Sequence, residues 1–188
     1  NALPAKPTVV SPLDYSQNAT ASILTAIAST GKSLLWYTAK TGGTGVSTAP
    51  TPTTTTVGMQ VYYVSQKDDV TTCESARDSI VVNINALPNI PTNVTVSSTE
   101  ISLGGSASFQ AICSTGIAKW YSEANGGTQI SSGNPFYVTP SVIGNVGYYV
   151  SCESGTGVSA CKSSRVATPT VNVSNENVII SITTSHKF

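Results

Sequence analysis

Charge is what this 188-residue chain has least of: nine Lys and Arg, nine Asp and Glu, and charged residues at only 10% of positions. A nucleic-acid surface needs a basic stripe to displace phosphate counterions, and a polybasic membrane patch needs clustered Lys and Arg. Neither is present, so no nucleic-acid partner and no direct membrane insertion is expected. The longest apolar candidate, residues 178–182, is strand-sized and far short of the roughly 18–20 residues of a spanning helix. Histidine is down to His186, which leaves a nucleophilic triad without a base near a candidate nucleophile. The four cysteines lack CxxC spacing, so no zinc set forms. Carboxylates are scattered, and no glycosidase pair stands out. Only Asp68 and Asp69 are adjacent, reading as a solvated turn; a loose Ca²⁺ site with Glu74 is the alternative, but the D-x-D-x-D-G loop is missing. The sequence predicts no catalysis, no cofactor and no metal. The start, Asn1-Ala2-Leu3-Pro4, has no charged head or apolar stretch and reads as an inter-domain linker, making the chain a fragment or mature segment of something longer.

What is plentiful is Thr, Ser, Gly and Pro, with 39% hydrophobic residues set in short alternating runs. Leu, Glu and Lys are scarce, so the composition favours strands and turns over helices. The decisive feature is an internal repeat. Asn1-Ala2-Leu3-Pro4 recurs as Asn85-Ala86-Leu87-Pro88, Trp36-Tyr37 as Trp120-Tyr121, and Gly42-Gly43 as Gly126-Gly127. Ala26 to Gly31 matches Ala111 to Gly116, and Tyr62-Tyr63-Val64-Ser65-Gln66 matches Tyr148-Tyr149-Val150-Ser151-Cys152. Cys73 with Arg77 matches Cys161 with Arg165. Two homologous domains follow, residues 1–84 and 85–173, with 174–188 a further strand or the start of another domain.

Strand-like runs between turn signals fall at β-sandwich spacing. In the first copy they are 8–10, 21–28, 34–38, 60–66 and 78–84; in the second, 94–97, 107–113, 118–121, 147–152 and 166–173. The Pro- and Thr-rich stretch 50–56 cannot lie in a central strand, because its prolines lack a ladder donor, and reads as an edge or crossing loop. The expected fold is all-β, two tandem immunoglobulin-like sandwiches.

In such a sandwich a disulfide joins strands B and F, and the strand-C Trp packs on it. Cys113 and Cys152 fall on those strands, with Trp120 between them in sequence. Phe109, Ala111 and Cys113 share a face, as do Tyr148, Val150 and Cys152. A Cys113–Cys152 bridge is favoured; a Cys152–Cys161 hairpin bridge with Cys113 buried is the alternative. Ala28 and Gln66 stand at the matching positions of the first copy, which must fold without this bridge. Trp36, Trp120, Tyr62 and Tyr148 are the expected core. By parity Tyr37, Tyr63, Tyr121 and Tyr149 then point outward as two aromatic pairs, either ordinary cross-strand pairs or a platform for sugar rings.

The pattern W-Y-x-x-x-x-G-G-T, a Pro/Thr-rich stretch, Y-Y-V-S-[QC], C-x-S-x-R and a strand ending in N-A-L-P resembles the immunoglobulin-like repeats of Bacteroidota extracellular proteins. Those repeats occur in giant surface and gliding adhesins and beside catalytic domains of secreted polysaccharide-degrading enzymes. The resemblance spans residues 1–173, although the first copy departs from its three-cysteine form. It implies export, commonly by the type IX route, a cell-surface or extracellular location, and O-glycosylation of Ser79 in Asp78-Ser79-Ile80. The expected role is a non-catalytic stalk or filament spacer, with neighbouring repeats as partners and the Pro-containing linkers restricting the hinge. A glycan-binding module, a phage decoration or fibre protein, and an accessory part of an enzyme are the alternatives.

Overall fold

A computed structural model describes residues 2–155 and 160–175. The strand expected at 177–183 and His186 lie outside the described residues. The chain divides into two compact units, the first formed by the chain up to Leu87 together with Gly155 and Cys161, the second by Pro88–Ser154 and the chain from Lys162 onward. Among the described residues every regular element is a strand.

The first unit contains β1 (Thr8–Val9), β2 (Leu13–Ser16), β3 (Ala26–Ile27), β4 (Lys32–Tyr37), β5 (Gly58–Asp68) and β6 (Asp78–Asn85). Its main sheet runs β2-β6-β5-β4, antiparallel except for the parallel pair β2–β6. β1 and β3 form a separate two-residue ribbon. Alternation along β6 sends Ile80, Val82 and Ile84 inward to meet Leu24, Trp36 and Val64.

Here the sequence reading needs two corrections. The strand expected over 21–28 shrinks to Ala26–Ile27, because the chain facing its first half is the Pro/Thr-rich stretch. To residues 21–28 that stretch offers one backbone bond, Leu24 N–H to Pro50 O at 2.9 Å, which cannot sustain a ladder. The strand Leu13–Ser16 went unread, as a parallel partner leaves no hairpin signal.

The second unit contains β7 (Thr92–Val96), β8 (Glu100–Ser102), β9 (Ala107–Ile112), β10 (Ile117–Tyr121), β11 (Gln129–Ser132), β12 (Phe136–Val138), β13 (Gly144–Val146), β14 (Tyr149–Ser154), β15 (Cys161–Lys162), β16 (Val166–Ala167) and β17 (Val171–Ser174). One sheet runs β11-β10-β14-β15 with β16 also on β14; the others run β12-β9-β7 and β13-β17-β8. The run expected over 166–173 is broken in two around Pro169, which has no N–H for a ladder.

The core here is aromatic: Phe136 stacks on Phe109 at 6.1 Å, and Tyr148 meets both rings edge-on at 5.0 and 5.3 Å. Trp120 is wholly buried and Trp36 is 3% exposed, while Tyr62 and Tyr148 are half-buried against their cores. Cys113 and Cys152 are bridged, with Cα atoms 5.5 Å apart at a sequence separation of 39. The chain just past the end of β9 is thus tied to β14, and with Trp120 on β10 this defines a sandwich of immunoglobulin type.

Candidate functional site: the arginine-capped tyrosines

Register sets Tyr37 opposite Tyr63 on β4–β5 and Tyr121 opposite Tyr149 on β10–β14. The expected open platform is nevertheless absent, for Tyr37 and Tyr121 are only 7% and 3% exposed. Parity identifies the face a residue lies on, not what covers it. Here the cover is arginine: the Arg77 guanidinium lies 3.2 Å from the Tyr37 ring centroid, and that of Arg165 3.3 Å from Tyr121. Each guanidinium is held by loop carbonyls, Arg77 to Ala39 O at 2.7 Å and Arg165 to Glu123 O and Gly126 O at 2.7 Å. Gly45 closes on Tyr37 so tightly that a Cβ would sit 2.5 Å from the ring. Tyr63 and Tyr149 remain half-buried.

Beneath each cap the hydroxyl is anchored. Tyr37 donates to Glu74 Oε1 at 2.5 Å, and Tyr121 donates to Glu153 Oε1. The same oxygens accept from Ser65 at 2.6 Å and Ser151 at 3.2 Å. Burial, then the glutamate partner, push both tyrosines above their ordinary pKa. Burial alone pushes Glu74 up, but hydrogen bonds from Ser65 and Tyr37 and the charges of Arg77 and Lys67 outweigh it, so the group ionises below its usual range. Glu153 shifts down likewise: Tyr121, Lys162 and Ser151 together overcome the burial.

The two glutamates are not at matching positions. Glu74 aligns with Lys162, and Lys67 with Glu153. In the first unit Lys67 and Glu74 face each other as partners in a backbone bridge, and the Lys67 charge acts on Glu74 without a direct ion pair; in the second Lys162 pairs with Glu153 at 3.4 Å. The pair is kept with its charges exchanged. Setting the two copies side by side would have disclosed this swap from sequence, yet not its purpose.

The C-x-S-x-R segment also explains itself. Ser75 and Ser163, both buried, donate their backbone N–H to Gln66 O and Cys152 O at 2.9 Å, accept those residues' N–H at Oγ (3.1 and 2.9 Å), and donate from Oγ to Ala76 O and Ser164 O at 2.9 Å. At the place of the second bridging cysteine, the wholly buried Gln66 makes a polar clasp. Its Oε1 accepts from Ser29 N–H at 2.7 Å, and its Nε2 donates to Ala5 O at 2.7 Å and Ser29 Oγ at 3.2 Å.

Beside each cap runs a shallow open groove between the Gly-Gly turn and the C-x-S-x-R segment. The groove of about 550 Å³ at Arg165 is lined by Asn125, Gly126, Tyr149 and Ser163. The one of about 530 Å³ at Arg77 adds Lys6 and Lys40, where the second unit has Ile90 and Ala124.

The other candidates are dispersed. Asp68 pairs with Lys32 at 2.8 Å and accepts from the Val70 and Thr71 amides, which together hold its carboxyl far below the carboxylate range. Asp69 accepts from Ser33 Oγ at 2.6 Å, and Glu74 is committed to Tyr37, so the three are not gathered around a common centre. Among the described residues no group of three or more His, Cys, Asp or Glu could hold a metal ion. Ser79 sits half-buried within β6, opposite Tyr63.

Fold and cluster thus define tandem immunoglobulin-like domains. The chain belongs to the family described as "Ig-like domain CHU_C associated", whose model matches residues 4–86 and again 88–174. No curated protein matches it. Among solved structures it is similar to the fibronectin(III)-like modules of CbhA from Clostridium thermocellum, at 14% identity over 97% of this chain and 95% of that one, TM-score 0.48. It is also similar to three N-terminal domains of the Highly Immunogenic Outer Capsid protein of bacteriophage RB49 (12% identity, 90% and 68% covered, TM-score 0.45) and to murine CEACAM1b (14%, 89% and 100%, 0.39). Likenesses this distant say nothing of function.

Proposed function

We propose that the segment is a non-catalytic spacer of an exported surface protein, its two repeats (1–84 and 85–173) holding a functional region away from the cell. The observation that carries this reading is the pair of family matches, 4–86 and 88–174, with one residue between them. The internal chemistry agrees with it: the buried Glu153 and the half-buried Glu74 spend their hydrogen bonds on tyrosine and serine of their own unit, which stabilises a fold and activates nothing. Export by the type IX route, membership of a Bacteroidota adhesin and glycosylation at Ser79 belong to the same proposal and rest on the resemblance of the repeat motifs.

A second reading, glycan binding, draws on the recurrent groove. At Arg77 it carries Lys6 and Lys40 in an otherwise charge-poor chain, which suits an acidic sugar. The test is a panel of neutral and acidic polysaccharides against the chain and its Lys6→Ala/Lys40→Ala variant. Absence of binding across the panel supports the spacer. Saturable binding of acidic members that the variant loses makes the segment adhesive.

A further inference from the structure

Phe136 closes the core of the second unit. It faces Phe109 across β12–β9, and its ring lies 5.4 Å from that of Trp120 and 5.0 Å from that of Tyr148. The repeat carries this Trp and Tyr into the first unit as Trp36 and Tyr62, but it does not carry the two phenyl rings. Two residues before the matched Ala26 and Ala111 stand Leu24 and Phe109. The residue that meets Leu24 is Pro50, whose carbonyl accepts the Leu24 N–H at 2.9 Å, so Pro50 takes the place of Phe136. Among the described residues every close ring pair belongs to the second unit.

Where the ring is missing, a pocket opens. Trp36, Pro50 and Tyr62, the counterparts of Trp120, Phe136 and Tyr148, line it together with Tyr37 and Val46, and its volume is about 140 Å³. An apolar cavity of about 150 Å³ is enough to hold one benzene. Both tyrosine hydroxyls are committed elsewhere, Tyr37 to Glu74 and Tyr62 to Gln60 Oε1 at 2.7 Å. The remaining polar side chains of the lining are Thr38 and Thr44. A sugar would give up the hydration of several hydroxyls for two threonines. A flat apolar ring gives up none, and it gains stacked or edge-on contact with Trp36 and Tyr62.

We propose that this pocket binds one monocyclic aromatic ring, a phenyl or phenol group, in the place that Phe136 fills in the second unit. The ring completes an aromatic cluster whose other walls the first unit already has, and Thr38 and Thr44 are at hand for a phenol hydroxyl.

The test is a titration of the full chain with p-cresol followed by ¹H–¹⁵N NMR, where Trp36 and Trp120 give two indole N–H signals. The expected result is a saturable shift of the Trp36 indole and the Val46 amide, with the Trp120 indole unmoved. Pro50→Phe, which restores the chain's own ring, should abolish the shift while the chain stays folded. A second arm with N-acetylphenylalaninamide separates the sources of the ring. Saturation by both probes supports a ring carried on a polypeptide; saturation by p-cresol alone supports a free small arene. No saturable shift with p-cresol, an equal shift at Trp120, an undiminished shift in Pro50→Phe, or an equal shift of Trp36 with methyl glucoside would each overturn the proposal.

Discussion

Glu74 and Glu153 hold equivalent tyrosine hydroxyls from opposite sides of one strand pairing. Glu153 reaches Tyr121 from β14, whereas Glu74 reaches Tyr37 from the segment that follows β5 and returns beside it. Either position brings a carboxylate under the arginine cap, and the facing position then carries the lysine.

It follows that the exchange should work within one unit. Glu153→Lys alone leaves Tyr121 without its acceptor and sets two ammonium groups together, costing about 2 kcal/mol in chemical denaturation. Adding Lys162→Glu should recover most of that loss. A double variant no better than the single would show that the two positions are not interchangeable.

Removing a cap should expose the ring. Arg165→Ala is expected to destabilise by about 0.5–2 kcal/mol and to open Tyr121 to acetylation by N-acetylimidazole. Modification at the parent rate would contradict the cap.

Gln66 should matter to the first unit as the disulfide matters to the second. Gln66→Ala leaves Ser29 N–H and Ala5 O without their partner and is expected to cost about 2–3 kcal/mol. Reduction should instead lower the second unit, by up to about 4 kcal/mol for a loop of this length. Two separable unfolding transitions, each answering to its own treatment, are the readout; loss of both together under reduction would refute it.

Stability should hold a plateau bounded by both residue types of the clusters. Glu74 and Glu153 ionise below their ordinary 4.5 in the fold, so their contribution is complete above that pH and is lost as pH falls through the folded values. Tyr37 and Tyr121 ionise above their ordinary 10.0, so theirs is complete below pH 10 and lost as pH rises through the folded values. Glu74→Gln/Glu153→Gln should flatten the acid limb of a melting-temperature profile; an unchanged limb would place its origin elsewhere.

Repetition made the sandwich readable: Trp36 and Trp120, with Cys113 and Cys152 at strand-compatible parity, mark strands B, C and F without any structure. The clusters were not readable, because alternation assigns Tyr37 to the outer face and is silent on Arg77, forty residues later, folding over it. Gln66 in place of a cysteine was visible as a departure, but its clasp depends on Ser29 and Ala5, which only the fold brings near. The parallel strand β2 escaped for a related reason, as its partner β6 lies far along the chain and no turn announces the pairing.

Under tension the two halves would yield by different amounts. A pulled first unit can surrender its whole contour, since hydrogen bonds alone tie Gln66 to Ser29. In the second, the bridge shunts force past the chain between Cys113 and Cys152, a sequence separation of 39, withholding about 130 Å of extension. A reductant would release that reserve length, so the extensibility of a tether built from such repeats would follow the oxidation state of its surroundings.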